Sequence, residues 1–305
     1  MKRDHSLFVL IVLLASFLTV SLPASGQGIV PQKDSLVYDG QVRYHYLYIP
    51  ESLLPERPLV VMLHGYGGKA DGYRPEMLDV ARREGFALCI PQGLKAPKGK
   101  TGWFAGYPAQ EGMRQDDDAF ICHLAQYLAQ RNAFGPLFLT GMSNGGEMCY
   151  IIGRKYPQVF RAIASVAGLT MKWVADSLEF HGPLPFMEVH GTADKTSRWD
   201  GDLNGEGGWG AYIPVPDAVQ AWVAENGCRL FEEKPLPLLN EDSRQVVLKR
   251  WHGGAPAWPG GPATEVLLYK VQGGKHSWAL SDMDTCSLIW DFFRQYLRDA
   301  NGTNF

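Results

Sequence analysis

Short runs that are apolar at nearly every position alternate along this chain with longer stretches that are apolar on one side only. Residues 58–63, 86–90, 136–140, 162–166 and 185–189 are of the first kind. A segment with no polar face suits a strand covered on both sides, as central strands of a parallel sheet are. Residues 42–49 alternate instead, in the manner of an early antiparallel strand with one wet face, and residues 265–271 supply a last strand. Helical patterns fall between them, near 73–84, 117–132, 147–156 and 216–226, with a closing helix over 283–297. Strands and helices taking turns predict an α/β fold: a mostly parallel central sheet flanked by helices. No internal repeat or low-complexity linker interrupts the pattern, so a single domain is expected.

Two stretches break the rhythm. Residues 199–212 and 251–263 are dense in Gly, Pro and Trp. Both follow late strands, and an open α/β sheet places its ligand crevice at the carboxyl ends of its strands. Trp209 and Trp258 could there offer flat rings to sugar faces or phenolic rings. The same composition also suits irregular loops whose tryptophans cover the core.

The start of the chain has another character. Lys2 and Arg3 precede an apolar run over residues 7–20, which ends in Leu22-Pro23-Ala24-Ser25-Gly26. A positive start, a short apolar stretch and small residues predict a secretory signal peptide over 1–26, with the mature domain at 27–305. An anchor helix is the other reading, but the run is short and lacks a basic stop. The expected location is secreted or periplasmic, with no stable membrane association after cleavage. Hydrophobic residues make up 46% and charged residues 20%, ample for a sizeable core. A net charge of -3 gives nucleic-acid binding no electrostatic footing. Five cysteines cannot all pair. Cys89, Cys122 and Cys149 lie in apolar or helical patterns and read as buried thiols. Cys228 and Cys286 lie nearer helix ends, where a disulfide between them is open. No Cys-x-x-Cys or histidine cluster points to a metal.

Candidate chemistry centres on Gly141-Met142-Ser143-Asn144-Gly145-Gly146, between the run at 136–140 and a helical pattern stopped by Pro157. Gly-x-Ser-x-Gly between a strand and a helix is the nucleophile elbow of α/β-hydrolases, so that fold is expected. A serine hydroxyl is a poor nucleophile near neutral pH and needs a base, itself oriented by a carboxylate. In this fold the order is Ser, Asp or Glu, His. Asp194 follows the run at 185–189 in His190-Gly191-Thr192-Ala193-Asp194 and is the candidate acid, with Asp200 and Asp202 in reserve. His276 lies between the last strand and last helix and is the candidate base; His252 competes, a dozen residues before that strand. His190 and His64 read as structural braces. For the oxyanion, the backbone N–H groups of Asn144 and of Tyr66 in Leu63-His64-Gly65-Tyr66-Gly67-Gly68 are the candidates, with Gly65 the near alternative. Asp116-Asp117-Asp118 begins a helical pattern, where acids cap free N–H groups, a reading favoured over metal binding.

These motifs occur in order with Trp103, the Asp-Asp-x-Ala-Phe set, Trp222 with Asn226-Gly227-Cys228, and Gly274-Lys275-His276-Ser277-Trp278. Together they resemble the secreted esterases of the polyhydroxybutyrate-depolymerase-like and feruloyl or acetylxylan esterase family, from about residue 38 to 293. The resemblance implies a Ser143–Asp194–His276 triad, an ester substrate and no cofactor. It also adds Trp103 and Trp278 to Trp209 and Trp258 as candidate substrate-binding residues. Family members often pair the cysteine after Asn-Gly with one further on, and often have Gly before the histidine and Pro after the tryptophan. This chain has no cysteine near Trp251, and has Lys275 and Ala279. The expectation is a secreted serine carboxylesterase acting on feruloyl or acetyl decorations of plant polysaccharide. A polyester depolymerase and a serine peptidase of the same fold are the alternatives. A non-catalytic carbohydrate-binding protein is a reading from another class.

Overall fold

A computed structural model describes residues 30–96, 99–113 and 115–298; the expected signal peptide, residues 1–26, lies outside them. Strands β1 (Gln32–Tyr38) and β2 (Gln41–Tyr48) form an antiparallel hairpin. Then come β3 (Leu59–Leu63), helix α1 (Pro75–Glu84), β4 (Ala87–Pro91), and a two-residue ladder of β5 (Leu94–Lys95) with β6 (Thr101–Gly102). They lead to α2 (Asp117–Asn132), β7 (Leu137–Met142), α3 (Asn144–Lys155), β8 (Ala162–Val166), the short α4 (Lys172–Ser177) and β9 (Phe186–Gly191). Helix α5 (Val215–Asn226), β10 (Leu230–Pro235), β11 (Val246–His252), β12 (Val266–Val271) and α6 (Thr285–Phe293) complete the order.

One ten-stranded sheet runs β1-β2-β4-β3-β7-β8-β9-β12-β11-β10. From β4 to β12 the neighbours are parallel; an antiparallel hairpin flanks each side. Every residue of β3, β4 and β8 is buried, because helices cover both faces. Successive side chains divide between two cores. Val61 and Leu63 face α2, α3 and α5, whereas Val60 and Met62 face α1 and α6. This is the expected α/β-hydrolase architecture, and the apolar runs give its central strands to within about a residue or two at each end.

The edge strands escaped the pattern. All of β10 is exposed, and β1 and β11 mix charged with apolar positions, so neither period nor apolar run marks them. Their backbones pair without needing a buried face. That omission misplaced one loop. Strand β11 runs antiparallel to β12, with Trp251 opposite Val266 and Val246 opposite Val271. The loop after His252 therefore lies at the amino ends of the parallel strands, away from the crevice. Trp258 packs there against Tyr296 and beneath the guanidinium of Arg161, which precedes β8. Its assignment to substrate binding is corrected: it packs at the opposite end of the sheet. The possible Cys228–Cys286 disulfide is absent too. Both are free thiols, and they pack in the cores on opposite faces of the sheet.

Trp222 holds α5 to the sheet. It is fully buried, stacks on Phe186 with ring centroids 4.4 Å apart, and meets the edge of Phe180 at 4.7 Å. Its indole N–H has no hydrogen-bond partner among the described residues. Trp222→Ala should therefore cost about 3–5 kcal/mol. Trp222→Phe should cost far less, since it keeps most ring burial and removes an orphaned donor costing about 1–3 kcal/mol. Urea unfolding measures both; equal losses would mean that ring packing is not what α5 depends on.

Candidate active site

Ser143 stands alone between the end of β7 and the start of α3, with φ 57° and ψ -121°. A non-glycine residue is strained there by roughly 1–3 kcal/mol, so the surroundings must hold it. Its own N–H donates to Val166 O at 2.8 Å. Around it the chain is pressed together. A Cβ on Gly141 would lie 2.4 Å from Gly145 O, and one on Gly145 would lie 2.5 Å from Leu63 O. Gly65 packs directly on the Ser143 side chain. The small residues demanded by a nucleophile elbow are thus needed for three backbones to meet.

The loop after β3 carries His64 and Tyr66. His64 is fully buried; its Nδ1–H donates to Gly65 O at 2.8 Å and its Nε2 accepts from Gly93 N–H at 3.0 Å. One donor and one acceptor fit the neutral ring, and burial pushes its pKa down. It is a brace, as its sequence suggested. The amides of Tyr66 and Asn144 have no hydrogen-bond partner among the described residues. They stay available to an oxyanion.

Trp103 does not reach substrate. It is fully buried, its indole N–H donates to His64 O at 2.9 Å, and its backbone exchanges two hydrogen bonds with the Asn144 side chain, at 2.7 and 3.0 Å. The correction is physical: Trp103 clamps the His64 loop to the start of α3, and no face of its ring is open. The signal missed in the sequence was Asn144 itself, whose side chain can pair with both backbone polar groups of one residue.

Asp194 lies just beyond β9 and is buried. Its Oδ1 accepts from the N–H groups of Thr196 and Ser197, each at 2.8 Å, and its Oδ2 accepts from His276 Nδ1 at 2.7 Å. A carboxylate that accepts at Nδ1 leaves Nε2 of the partly exposed ring free to take a proton. The two loops are fastened to each other: Ala193 N–H donates to Gly274 O at 2.9 Å, and Gly273 N–H to Thr192 Oγ1 at 2.8 Å. His190, fully buried, bonds Glu188 at 2.9 Å and Ser197 O at 2.8 Å under this arrangement. The other candidates stand apart. Asp202 accepts the amides of Glu206 and Gly207 within its own loop, Asp200 is exposed, and His252 faces Glu232 at 3.2 Å in the outer hairpin.

His276 opens onto a cavity of about 540 Å³ that reaches Gly65, Tyr66, Met142, Tyr73 and Trp278. Trp278, nearly buried, donates its indole N–H to Tyr73 Oη at 3.3 Å and forms part of the wall. Trp209, half-buried, meets the ring of Tyr66 at 5.8 Å and that of Tyr107 at 5.2 Å, so it flanks the same loop. The helix-cap reading of Asp116-Asp117-Asp118 needs revision. Asp117 is buried and binds Arg43 at 2.7 Å and Phe104 N–H at 2.8 Å, and Asp118 pairs with Lys155. They tie α2 to β2, to the loop before it and to α3.

Comparison with known proteins agrees with the resemblance read from the motifs. Residues 42–177 match a family described as esterase PHB depolymerase. The chain is 29% identical over 259 residues to the putative esterase NocK of Nocardia uniformis, covering 74% of this chain and 73% of that protein. It is 29% identical over 129 residues to feruloyl esterase B of Neurospora crassa (41% and 43%), and 26% over 173 residues to a probable acetylxylan esterase A of Aspergillus fumigatus (52% and 45%). It thus spans under half the length of these last two. Among solved structures, an acetyl xylan esterase from Aspergillus awamori superposes with a TM-score of 0.55 at 15% identity, over 80% of this chain and 94% of that one. An S-formylglutathione hydrolase from Agrobacterium tumefaciens does so with 0.54 at 14%, over 87% and 94%. These two speak for the fold.

Behind the elbow lies a buried acid that no motif announced. Glu147, in the first turn of α3, accepts from Tyr107 Oη and from Asn144 Nδ2 at 3.4 Å, yet burial outweighs both and pushes its pKa up from 4.5 to about 7. The folded state then holds a proton that the unfolded chain releases above pH 4.5. That stabilisation is complete below pH 4.5 and is lost as pH rises to about 7, roughly 3 kcal/mol in all. Glu147→Gln cannot titrate. The stability difference, wild type minus variant, should fall by that amount across this window; a difference independent of pH would mean that Glu147 is ionised throughout.

Proposed function

From a chain that is a carboxylesterase-like α/β-hydrolase, we propose a serine carboxylesterase that works through an acyl-enzyme on Ser143. The observation that carries this reading is the 2.7 Å hydrogen bond between His276 Nδ1 and a buried Asp194 whose other oxygen is held by two amides. A base fixed in that tautomer can do one thing well: take a proton at Nε2.

Ser143 Oγ attacks the ester carbonyl while His276 Nε2 takes its proton. The negative oxygen that forms accepts from the N–H groups of Asn144 and Tyr66. When the tetrahedral species collapses, the alcohol leaves with the proton from His276, and the acyl group stays on Ser143. Water then repeats both steps and frees the acid. Asp194 holds the ring in place and stabilises the imidazolium.

The proposed substrate is a feruloyl or acetyl ester on plant polysaccharide, hydrolysed outside the cytoplasm. It rests on the names of the relatives and on Trp209, a half-buried ring beside Tyr66 that a sugar or a phenolic ring can stack on. Polyester cleavage is the competing reading, and a panel of feruloylated, acetylated and hydroxybutyrate esters separates the two.

Ser143→Ala and His276→Ala should each fold normally and lose about 10³-fold or more in kcat on a chromogenic ester, because nucleophile and base act as a unit. His252→Ala, in the outer hairpin, should keep most of its turnover. The reverse ranking of the histidines would overturn the proposed base. Trp209→Ala should raise KM for a polysaccharide-linked ester about fivefold, the equivalent of about 1 kcal/mol of stacking, and leave kcat on a small acetyl ester nearly unchanged. Equal slowing on both, with a lower Tm, would make Trp209 a packing residue.

A further inference from the structure

Arg74 is the residue of the candidate cavity that the proposed mechanism leaves unused. It lines the same space as His276, Tyr66 and Met142. The described lining includes no Asp or Glu, so this guanidinium meets no countercharge from the wall. Its ring neighbours hold it from one side: the guanidinium carbon lies 5.3 Å from the centre of the Trp278 ring and 5.9 Å from that of Tyr73. Among the described residues the acid within 4 Å of it is Glu76, half exposed, at 3.8 Å from Nη1, too far for a hydrogen bond. Its Nε–H is buried and has no hydrogen-bond partner among the described residues. An orphaned donor on a charged group is costly, and proteins rarely leave one without use.

The backbone adds an independent observation. Arg74 sits at the start of α1 with φ 53° and ψ 69°, in the left-handed region, where glycine or asparagine would be relaxed, and its side chain makes no cap. Strain at a long charged residue persists only where its surroundings hold it, and such strain gathers at ligand clamps. The Arg74 guanidinium is a planar fork of donors on the wall of the space that His276 also lines, and such a fork matches a carboxylate.

We propose that Arg74 anchors a carboxylate carried by the substrate, so that the preferred esters are those with an acid group close to the scissile bond, on either the acyl or the alcohol side. This rests on the esterase reading above and narrows its substrate class. A monoester of a dicarboxylic acid and an ester of a hydroxy acid or uronic acid share that chemistry.

Two matched pairs of esters test it. The 4-nitrophenyl monoester of adipic acid against 4-nitrophenyl hexanoate places the carboxylate on the acyl side. 4-Acetoxybenzoate against 4-acetoxybenzamide places it on the alcohol side. The wild type should prefer the acid in one pair by about tenfold or more in kcat/KM, as a charge-assisted pair allows. The ratio should collapse in Arg74→Gln, recover in part in Arg74→Lys, and shrink in the wild type as salt rises. No preference in either pair, or a preference unchanged in Arg74→Gln, would overturn the proposal. Should Arg74→Gln fail to fold, the wild-type ratios and their salt dependence decide. If the wild type cleaves none of the four esters, the esterase reading itself has failed, which is a separate result.

Discussion

At the elbow three stretches of backbone are pressed together, and at Gly141 and Gly145 they come closer than any side chain would allow. Gly141 meets Gly145, Gly145 meets the last residue of β3, and Gly65 meets Ser143. Close approach fixes the turn from β7 into α3, and the turn holds Ser143 in a conformation it would not choose. The same approach packs the loop that carries Tyr66 against the elbow. One methyl group at Gly141 or Gly145 would separate the elements that the proposed chemistry needs together. Serine is strained so that the loop after β3 can be near.

The other half of the site is built from hydrogen bonds. Asp194 and His276 come from loops after β9 and β12, which are parallel neighbours, so the sheet itself sets their spacing. Bonds between the two loops then fix their tips, and two amides fix the carboxylate. A residue at the end of a sheet strand is positioned by the whole core. A residue inside a long loop, such as Asp202, is positioned mainly by its own turn.

Central strands and helices were legible because burial on two faces or on one leaves a period in the sequence. Ser143, Asp194 and His276 were legible as candidates because each follows such a strand. What the sequence concealed had no period. The exposed β10 pairs through its backbone alone, and missing its neighbour β11 reversed the expected position of Trp258. Trp103 looked like a binding ring because a tryptophan near a motif carries no mark of its burial. Its hydrogen bonds to Asn144 and His64 depend on contacts 41 and 39 residues away. Arg74 was invisible for a related reason: an arginine before a helix usually faces solvent, and only the cavity shows what this one faces.

The central claim is that Ser143 is the nucleophile, activated by His276. Reaction with a fluorophosphonate, followed by peptide mapping and by the rate of adduct formation, tests it most directly. The account predicts one adduct per chain, on Ser143, forming at least about a hundredfold more slowly when His276 is alanine. An adduct on another residue, or an equal rate without the histidine, would contradict it.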